Sequence, residues 1–244
     1  MIDPAHPPAP HRVPARGARV TRPWPSPARV CSHGAVRSWS VVVPAKRLDV
    51  AKTRLRPLTA GRDDAGAAHR ELVLALLADT VASAVACPSV AAVLVVTDEP
   101  AAGDVVRGLG ARTVPDEPDR GLNAALEHGA RSAPGAAVAA LSSDLPALRS
   151  AELAAALAAA DEVERGFVAD AEGTGTTLLT AVGTALRPAF GPGSAAAHRA
   201  GGAVALTGPW PGLVRDVDTG ADLRAALQLG AGPRTTALMA HLTG

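Results

Sequence analysis

Along most of the chain, apolar runs of strand length alternate with segments of helical period. Trp39 to Val43 (WSVVV) is a short run rich in β-branched residues, Glu71 to Ala86 repeats its apolar positions at helical spacing, and Ala91 to Val96 (AAVLVV) is again strand-like. The same logic then repeats. A short helix near Asp104 to Leu109 precedes a strand over Arg112 to Val114, Leu122 to Arg131 reads as a helix, and Ala136 to Leu141 reads as a buried strand that ends in SSDLP. Ser150 is placed to cap the helix AELAAALAAA, with Leu153 and Leu157 on one face. Alternation of this kind predicts parallel strands joined by right-handed crossovers. The expected fold is therefore α/β: a single doubly wound, mostly parallel sheet in a Rossmann-like, three-layer α/β/α domain. Ligands of such sheets bind beyond the carboxyl ends of the strands, so the loops that follow the strands are where chemistry is expected.

The pattern begins only near Ser38. Before it, residues 1–37, which include HPPAPHRVPARGARVTRPWPSPARV, are rich in Pro and Arg, hold one acidic residue (Asp3), and have no hydrophobic period that could be buried. Residues 1–37 are expected to be a disordered extension of the kind a start codon assigned too far upstream would add, and residues 38–244 the folded domain. The prolines exclude an amphipathic transit helix, and no apolar core of a secretory signal is present.

Composition narrows the function classes. The chain of 244 residues is 48% hydrophobic and 19% charged with a formal net charge of +1, as expected for an ordinary globular domain. That balance argues against nucleic-acid binding, which calls for a basic face. No apolar run reaches the roughly 18 residues of a membrane span, so a soluble protein with no membrane partner is expected. Cys31 and Cys87 are too few for a disulfide framework or a zinc site, which fits a reducing cytoplasm. The residue bias is more telling. Lys46 and Lys52 are the only lysines, Asn123 is the only asparagine, and Phe190 is one of two phenylalanines. Residues that survive a bias against their type mark sites rather than packing.

Three loops collect the candidates. After the first strand, PAKRLDVAKTRL sets Lys46, Arg47, Lys52 and Arg54 around a turn, a concentration of positive charge suited to a triphosphate. It is no Walker loop, because GxxxxGK[ST] is absent, so any grip on phosphates comes from side-chain cations and backbone N–H groups. Asp144 follows a buried strand and is a hard oxygen ligand where Mg²⁺ could meet substrate phosphates; turn chemistry is the alternative reading. In RDVDT, Asp216 and Asp218 lie two apart and project from one face of an extended segment. Asp218 or Thr219 also suits the N-cap of GADLRAALQL, with Asp222 completing a capping box after Thr219. Asp218 is accordingly read as a cap and Asp216 as the metal ligand. Finally, GTGTT (Gly173 to Thr177) and FGPGS (Phe190 to Ser194) combine flexible backbone with hydroxyls, as in nests for small anions. His69, His128 and His198 have no metal-ligand spacing and are assigned no role.

The ordered runs VPAKRLDVAKTRL, DRGLNAAL, SSDLPAL, VADAEGTGTTLL, FGPGSAAAH and RDVDTGADL resemble the guanylyltransferases that join phosphoenolpyruvate or 2-phospho-L-lactate to GMP in the biosynthesis of the deazaflavin coenzyme F420. The resemblance covers residues 39 to 244. It implies a molybdopterin-guanylyltransferase-like nucleotidyltransferase fold, GTP as substrate, and a pair of Mg²⁺ ions held by Asp144 and Asp216. It also implies that the phosphorylated three-carbon acid lies around Thr176, Gly191 and Ser194, that Lys46 and Lys52 lie near phosphates, and that Asn123 helps to position the nucleotide. A downstream transferase that accepts the product is an implied partner. SSDLP departs from the family's usual apolar-Pro-Ala lead-in to the aspartate.

Such a reaction needs no general base. A phosphate monoester has a second pKa near about 6, so its oxygen is already an anionic nucleophile at neutral pH. The difficulty is repulsion: each pair of unit charges at about 4 Å costs roughly 4 kcal/mol at an effective dielectric near 20. Lys46, Lys52 and Arg54, with the metal ions, are the groups expected to offset it. The rival expectation is a metal-dependent nucleotide-sugar glycosyltransferase, in which Asp216 and Asp218 form the acidic pair and a nucleoside diphosphate leaves.

Overall fold

The computed structural model of the chain describes residues 37–48, 51–60, 64–117 and 120–243. Apart from Arg37, the extension expected to be disordered lies outside the described residues. Seven strands, β1 (Trp39–Pro44), β2 (Val90–Val96), β3 (Arg112–Val114), β4 (Ala137–Leu141), β5 (Arg165–Ala169), β6 (Thr176–Val182) and β7 (Val204–Ala205), form one sheet in the order β3-β2-β1-β4-β6-β5-β7. The helices are α1 (Ala65–Val85), α2 (Pro100–Gly108), α3 (Leu122–Ser132), α4 (Ser150–Ala160), α5 (Ser194–Ala200), α6 (Pro211–Val214), α7 (Gly220–Leu229) and α8 (Pro233–Thr243).

β1 is apolar at successive positions because both of its faces are covered. Val41 and Val43 enter one core with Leu77 and Val81 of α1 and Leu153 and Leu157 of α4. Val42 faces the opposite side, where it packs with Ala125 and Leu126 of α3 and Ala195 of α5. The two cores make the three layers the alternation predicts. A third cluster joins Leu55 to Leu72 and Leu76 of α1 and to Val217 and Leu223. Each fully buried Leu there contributes roughly 2 kcal/mol of burial, so the cluster firmly seats the two loops that flank the site.

The sheet is mixed at one place. β1 runs parallel to β2 and β4, and β2 to β3, but β6 lies antiparallel between β4 and β5. The cause is the short connection from β5 to β6, which has no room for a crossover helix and must return as a hairpin. Element ends also shift slightly. The residue flanking α4 is Arg149, whose N–H donates to Glu152 Oε2 at 3.4 Å, so Ser150 is the first helical residue rather than the cap. α1 starts at Ala65, before the apolar period becomes visible in the sequence. The buried Asp79 of α1 accepts the Thr235 N–H at 2.8 Å and the Arg234 N–H at 3.2 Å, fastening the start of α8.

β1 has β2 on one side and β4 on the other, so the chain reverses its direction of sheet growth between β1 and β4. The crevice at the carboxyl ends of these two strands is where ligands of open α/β sheets bind. The loops carrying Lys46 to Arg54 and Ser142 to Asp144 both open onto it.

Candidate active site

A cavity of about 630 Å³ occupies this crevice. Lys46, Lys52, Arg54, Asp144, Thr176, Gly191, Ser194 and Asp216 all line it, which brings to one place eight of the nine residues expected to bind substrate, nucleotide or metal or to act on phosphates. A smaller hollow of about 200 Å³ adjoins it at the ends of β1, β2 and β3, sharing Lys46 and Leu122 and adding Arg47, Asp98 and Asp116.

Lys52 is held from both sides. His69 Nε2–H donates to the Ala51 carbonyl at 2.9 Å, and the Leu55 N–H donates to the Lys52 carbonyl at 2.9 Å as the 3-10 turn Thr53–Leu58 begins. Between these ties Lys52 adopts a left-handed backbone, φ 52° and ψ 42°, which costs a non-glycine residue about 1 kcal/mol or more. The reward is direction. Its ammonium reaches Asp144 and, at 2.6 Å, Asp218 Oδ1.

The two acidic loops are stitched together by backbone. The Val217 N–H donates to the Asp144 carbonyl at 3.1 Å, and the Leu145 N–H donates to Thr80 Oγ1 at 2.8 Å, fixing the turn in which Asp144 sits. Val217 is fully buried, while Asp216 and Asp218 on either side of it line the cavity, as strand-like alternation requires. The cap is Thr219, not Asp218: its extended backbone points Oγ1 at the Asp222 N–H (3.3 Å), and Asp222 returns a bond from the Thr219 N–H at 2.8 Å. Asp218 is thereby released to face Lys52. The expectation that Asp218 serves the helix is corrected.

The electrostatics of the cluster are unbalanced. Burial, then the nearby charges of Asp144 and Asp218 and a smaller push from Asp170, drive Asp216 up to about 7 against the opposing pull of Lys52. For Lys52, burial disfavours the charge, but Asp144 and Asp218 outweigh it and hold the ammonium above its ordinary value. Asp170, absent from the candidates read in the sequence, closes the β5–β6 hairpin: Oδ1 accepts the Thr174 N–H at 2.9 Å and Oδ2 the Gly175 N–H at 2.8 Å. A side chain at Gly175 would meet Asp170 Oδ2 at 2.3 Å, so the last glycine of GTGTT is there for close approach. The sequence signal for Asp170 is an acid directly after the strand-like run GFVA, the same pattern that singles out Asp144.

The side chains that meet the FGPGS loop are neutral and already satisfied. Asn123 Nδ2 donates to the Phe190 carbonyl at 3.0 Å and its Oδ1 accepts the Phe190 N–H at 2.8 Å, so both ends of the carboxamide hold the FGPGS loop. Asn123, expected beside the nucleotide, does not line the cavity; it lies behind it. The Ala189 N–H donates to His198 Nε2 at 2.9 Å, and His198 Nδ1 lies 2.9 Å from Thr176 Oγ1. Gly191 turns the loop with φ 138°, a conformation favouring glycine, and the Ser194 N–H closes it onto the Gly191 carbonyl at 3.1 Å.

The donor set fits a divalent cation with oxygen preference. Carboxylates of Asp144, Asp216 and Asp218 converge, and their mutual repulsion, added to burial, is large enough to keep a proton on Asp216 near neutrality. Among the described residues no three Asp, Glu, His or Cys side chains already form a metal cage. Mg²⁺ keeps several waters and is bound through one or two carboxylates together with substrate phosphates. Among the described residues no helix is long and apolar enough to cross a membrane.

Residues 39–201 match the family model described as "Guanylyl transferase CofC like". The chain is 72% identical over 205 residues to the phosphoenolpyruvate guanylyltransferase of Geodermatophilus obscurus, covering 84% of this chain and 95% of that protein. It is 55% identical over 203 residues to the phosphoenolpyruvate guanylyltransferase of Salinispora arenicola, covering 82% and 92%. Among solved structures, it is similar to a nucleotidyl transferase from Methanothermobacter thermautotroptrophicus, with TM-score 0.51 and 21% identity over 79% of this chain and 97% of the other. That last likeness concerns the fold.

Proposed function

Because the chain belongs to the CofC-like guanylyl transferase family, we propose that it transfers GMP from GTP to the phosphate of phosphoenolpyruvate, releasing pyrophosphate, as a step towards the deazaflavin coenzyme. The choice of acid is supported by the relatives at 72% and 55% identity, which carry that substrate in their names. The observation that carries the reading is one cavity that gathers carboxylates, Lys52 and a neutral loop of hydroxyls and amides. A glycosyltransferase has no comparable support.

The triphosphate lies along Lys46, Lys52 and Arg54, and the base extends towards the smaller hollow. Asp98 and Asp116 there offer carboxylate acceptors that suit the N1–H and amino donors of guanine and not the edge of adenine. The phosphorylated acid sits against Thr176, Ser194 and the backbone of Gly191, on the wall opposite the carboxylates. Asn123 acts on this loop rather than on the nucleotide. Held this way, a phosphate oxygen of the acid attacks the α-phosphorus of GTP in line, the bond to the bridging oxygen of the β-phosphate breaks, and pyrophosphate leaves.

Asp144, Asp216 and Asp218 would hold the Mg²⁺ ions, a pair by expectation, which neutralise charge on the phosphoryl oxygens. Lys52 keeps the carboxylates gathered, and its ammonium remains charged throughout the physiological range. No proton needs to be removed from the nucleophile.

The test is pyrophosphate release by the purified chain with GTP, Mg²⁺ and, separately, phosphoenolpyruvate, 2-phospho-L-lactate and 3-phosphoglycerate. Phosphoenolpyruvate is expected to give the highest kcat/KM, with ATP a poor substitute for GTP. Absence of pyrophosphate with every acid would overturn the reading.

A further inference from the structure

His198 belongs to the run FGPGSAAAH, yet the proposed reaction leaves it no task. It projects from the helix Ser194–Ala200 beneath the Gly191 loop and is 3% exposed. Two contacts fix its protonation. The Ala189 N–H donates to Nε2 at 2.9 Å, so that nitrogen is bare, because a ring N–H could not face an amide N–H there. A neutral imidazole then carries its proton on Nδ1, and the partner of Nδ1 at 2.9 Å is Thr176 Oγ1, which must accept. Ser194 Oγ donates to the same oxygen at 3.2 Å. A hydroxyl has two lone pairs and one proton. With both lone pairs engaged, the Thr176 proton is the capacity that remains, and Thr176 lines the cavity.

We infer that His198 is a positioning residue for the acid substrate: as the neutral Nδ1–H tautomer it makes Thr176 an obligate donor to an anionic oxygen of the phosphorylated acid, while its Nε2 holds the backbone that leads into the Gly191 loop. The surroundings keep the ring in this state. Phe190 meets it edge-on with centroids 5.1 Å apart, Phe167 lies 6.0 Å away, and burial lowers the imidazole pKa below its ordinary value. Asn123 holds the next residue, Phe190, by both backbone groups, so the loop is clamped at two successive positions. The inference rests on the proposed placement of the acid against Thr176 and Ser194.

The test separates the two substrates, by KM and by calorimetric affinity for phosphoenolpyruvate and for GTP. His198→Phe keeps a ring against Phe190 but removes both nitrogens. It should weaken phosphoenolpyruvate by roughly 10- to 100-fold, the size of one or two hydrogen bonds to an ion, and change GTP by less than about threefold. His198→Gln offers one acceptor and one donor and should recover most of that loss, to within about fivefold of wild type. In a Thr176→Val background the His198→Phe change should add clearly less than it does in wild type, because the part relayed through the Thr176 oxygen is already lost and only the Nε2 hold on Ala189 remains to be removed. Equal losses for both substrates, a full additive effect in the Thr176→Val background, or a Gln variant no better than Phe would overturn the role. If His198→Phe does not fold, His198→Gln in the wild-type and Thr176→Val backgrounds carries the same comparison, with any loss confined to phosphoenolpyruvate and smaller when added to Thr176→Val than when made in wild type. A wild-type protein that binds both ligands but releases no pyrophosphate would sink the proposed reaction, and the affinity ratios would still decide the part of His198.

Discussion

The two walls of the cavity are built on opposite principles. On the wall formed after β4 and before α7, carboxylates crowd one another, and Lys52 bridges Asp144 and Asp218 while Asp216 is driven up to about 7. On the wall formed by the starts of β6, α3 and α5, Asn123, His198, Thr176 and Ser194 already satisfy one another and the backbone around Phe190. The first arrangement is poorly balanced until cations and phosphates arrive. The second is complete beforehand and can only orient what enters. In the proposed reaction, charge handling and substrate orientation fall to different walls, so substitutions on the two should fail in different ways.

The most severe break is expected at Asp144. Asp144→Asn should lower kcat by roughly 10³-fold, about 4 kcal/mol of barrier, with far-ultraviolet circular dichroism unchanged. Lys52→Met comes next: loss of the bridging ammonium should reduce kcat/KM for both substrates, by roughly 10²-fold, since each close charge pair is worth a few kcal/mol. On the other wall, Thr176→Val should leave kcat within about threefold and raise KM for phosphoenolpyruvate by roughly 10- to 100-fold, the loss of a hydrogen bond to an anion. A fall in kcat as large as that of Asp144→Asn would erase the division between the walls.

The smallest effect concerns stability. Folded Asp216 keeps its proton up to about pH 7, whereas an unfolded aspartate releases it near about 3.9, so the folded state binds more protons across that window. Without divalent cations, stability should therefore fall as pH rises from about 4 towards 7, and Mg²⁺ should flatten the trend. Asp216→Asn should lower activity, by less than Asp144→Asn does, yet raise the metal-free melting temperature at pH 7 by roughly 2–4 °C, as expected when about 1 kcal/mol of repulsion is removed from a chain of this size. Differential scanning calorimetry at several pH values, with and without Mg²⁺, reads both effects.

Much of the charged wall is legible in the sequence because its signals are local. A strand followed by Asp, as at Asp144, and acids two apart around an apolar residue, as at Asp216 and Asp218, declare a shared face by spacing alone. The role of Asp218 is obscured because a helix start supplies a competing local explanation, and only the geometry of Thr219 decides between them. The neutral wall is legible as motifs but not as a mechanism. GTGTT and FGPGS mark turns, but the bonds from Asn123 to Phe190 span 67 residues and that from His198 to Thr176 spans 22, separations that no periodicity encodes. His69 is unreadable for the same reason: its bond to Ala51 serves a loop on another element. The reversed direction of β6 escapes the pattern because a continuous apolar run looks the same in either sense; only the brevity of the turn before it sets its direction.

In the proposed reaction the two walls bring a phosphorylated acid and GTP together so that one phosphorus–oxygen bond forms as another breaks. ³¹P NMR of a reaction containing the chain, Mg²⁺, GTP and phosphoenolpyruvate observes those bonds directly. The account predicts the paired, mutually coupled resonances of a new unsymmetrical diphosphate appearing in step with pyrophosphate, and neither signal with Asp144→Asn. Conversion of GTP to GDP or GMP with the phosphoenolpyruvate resonance unchanged would contradict it.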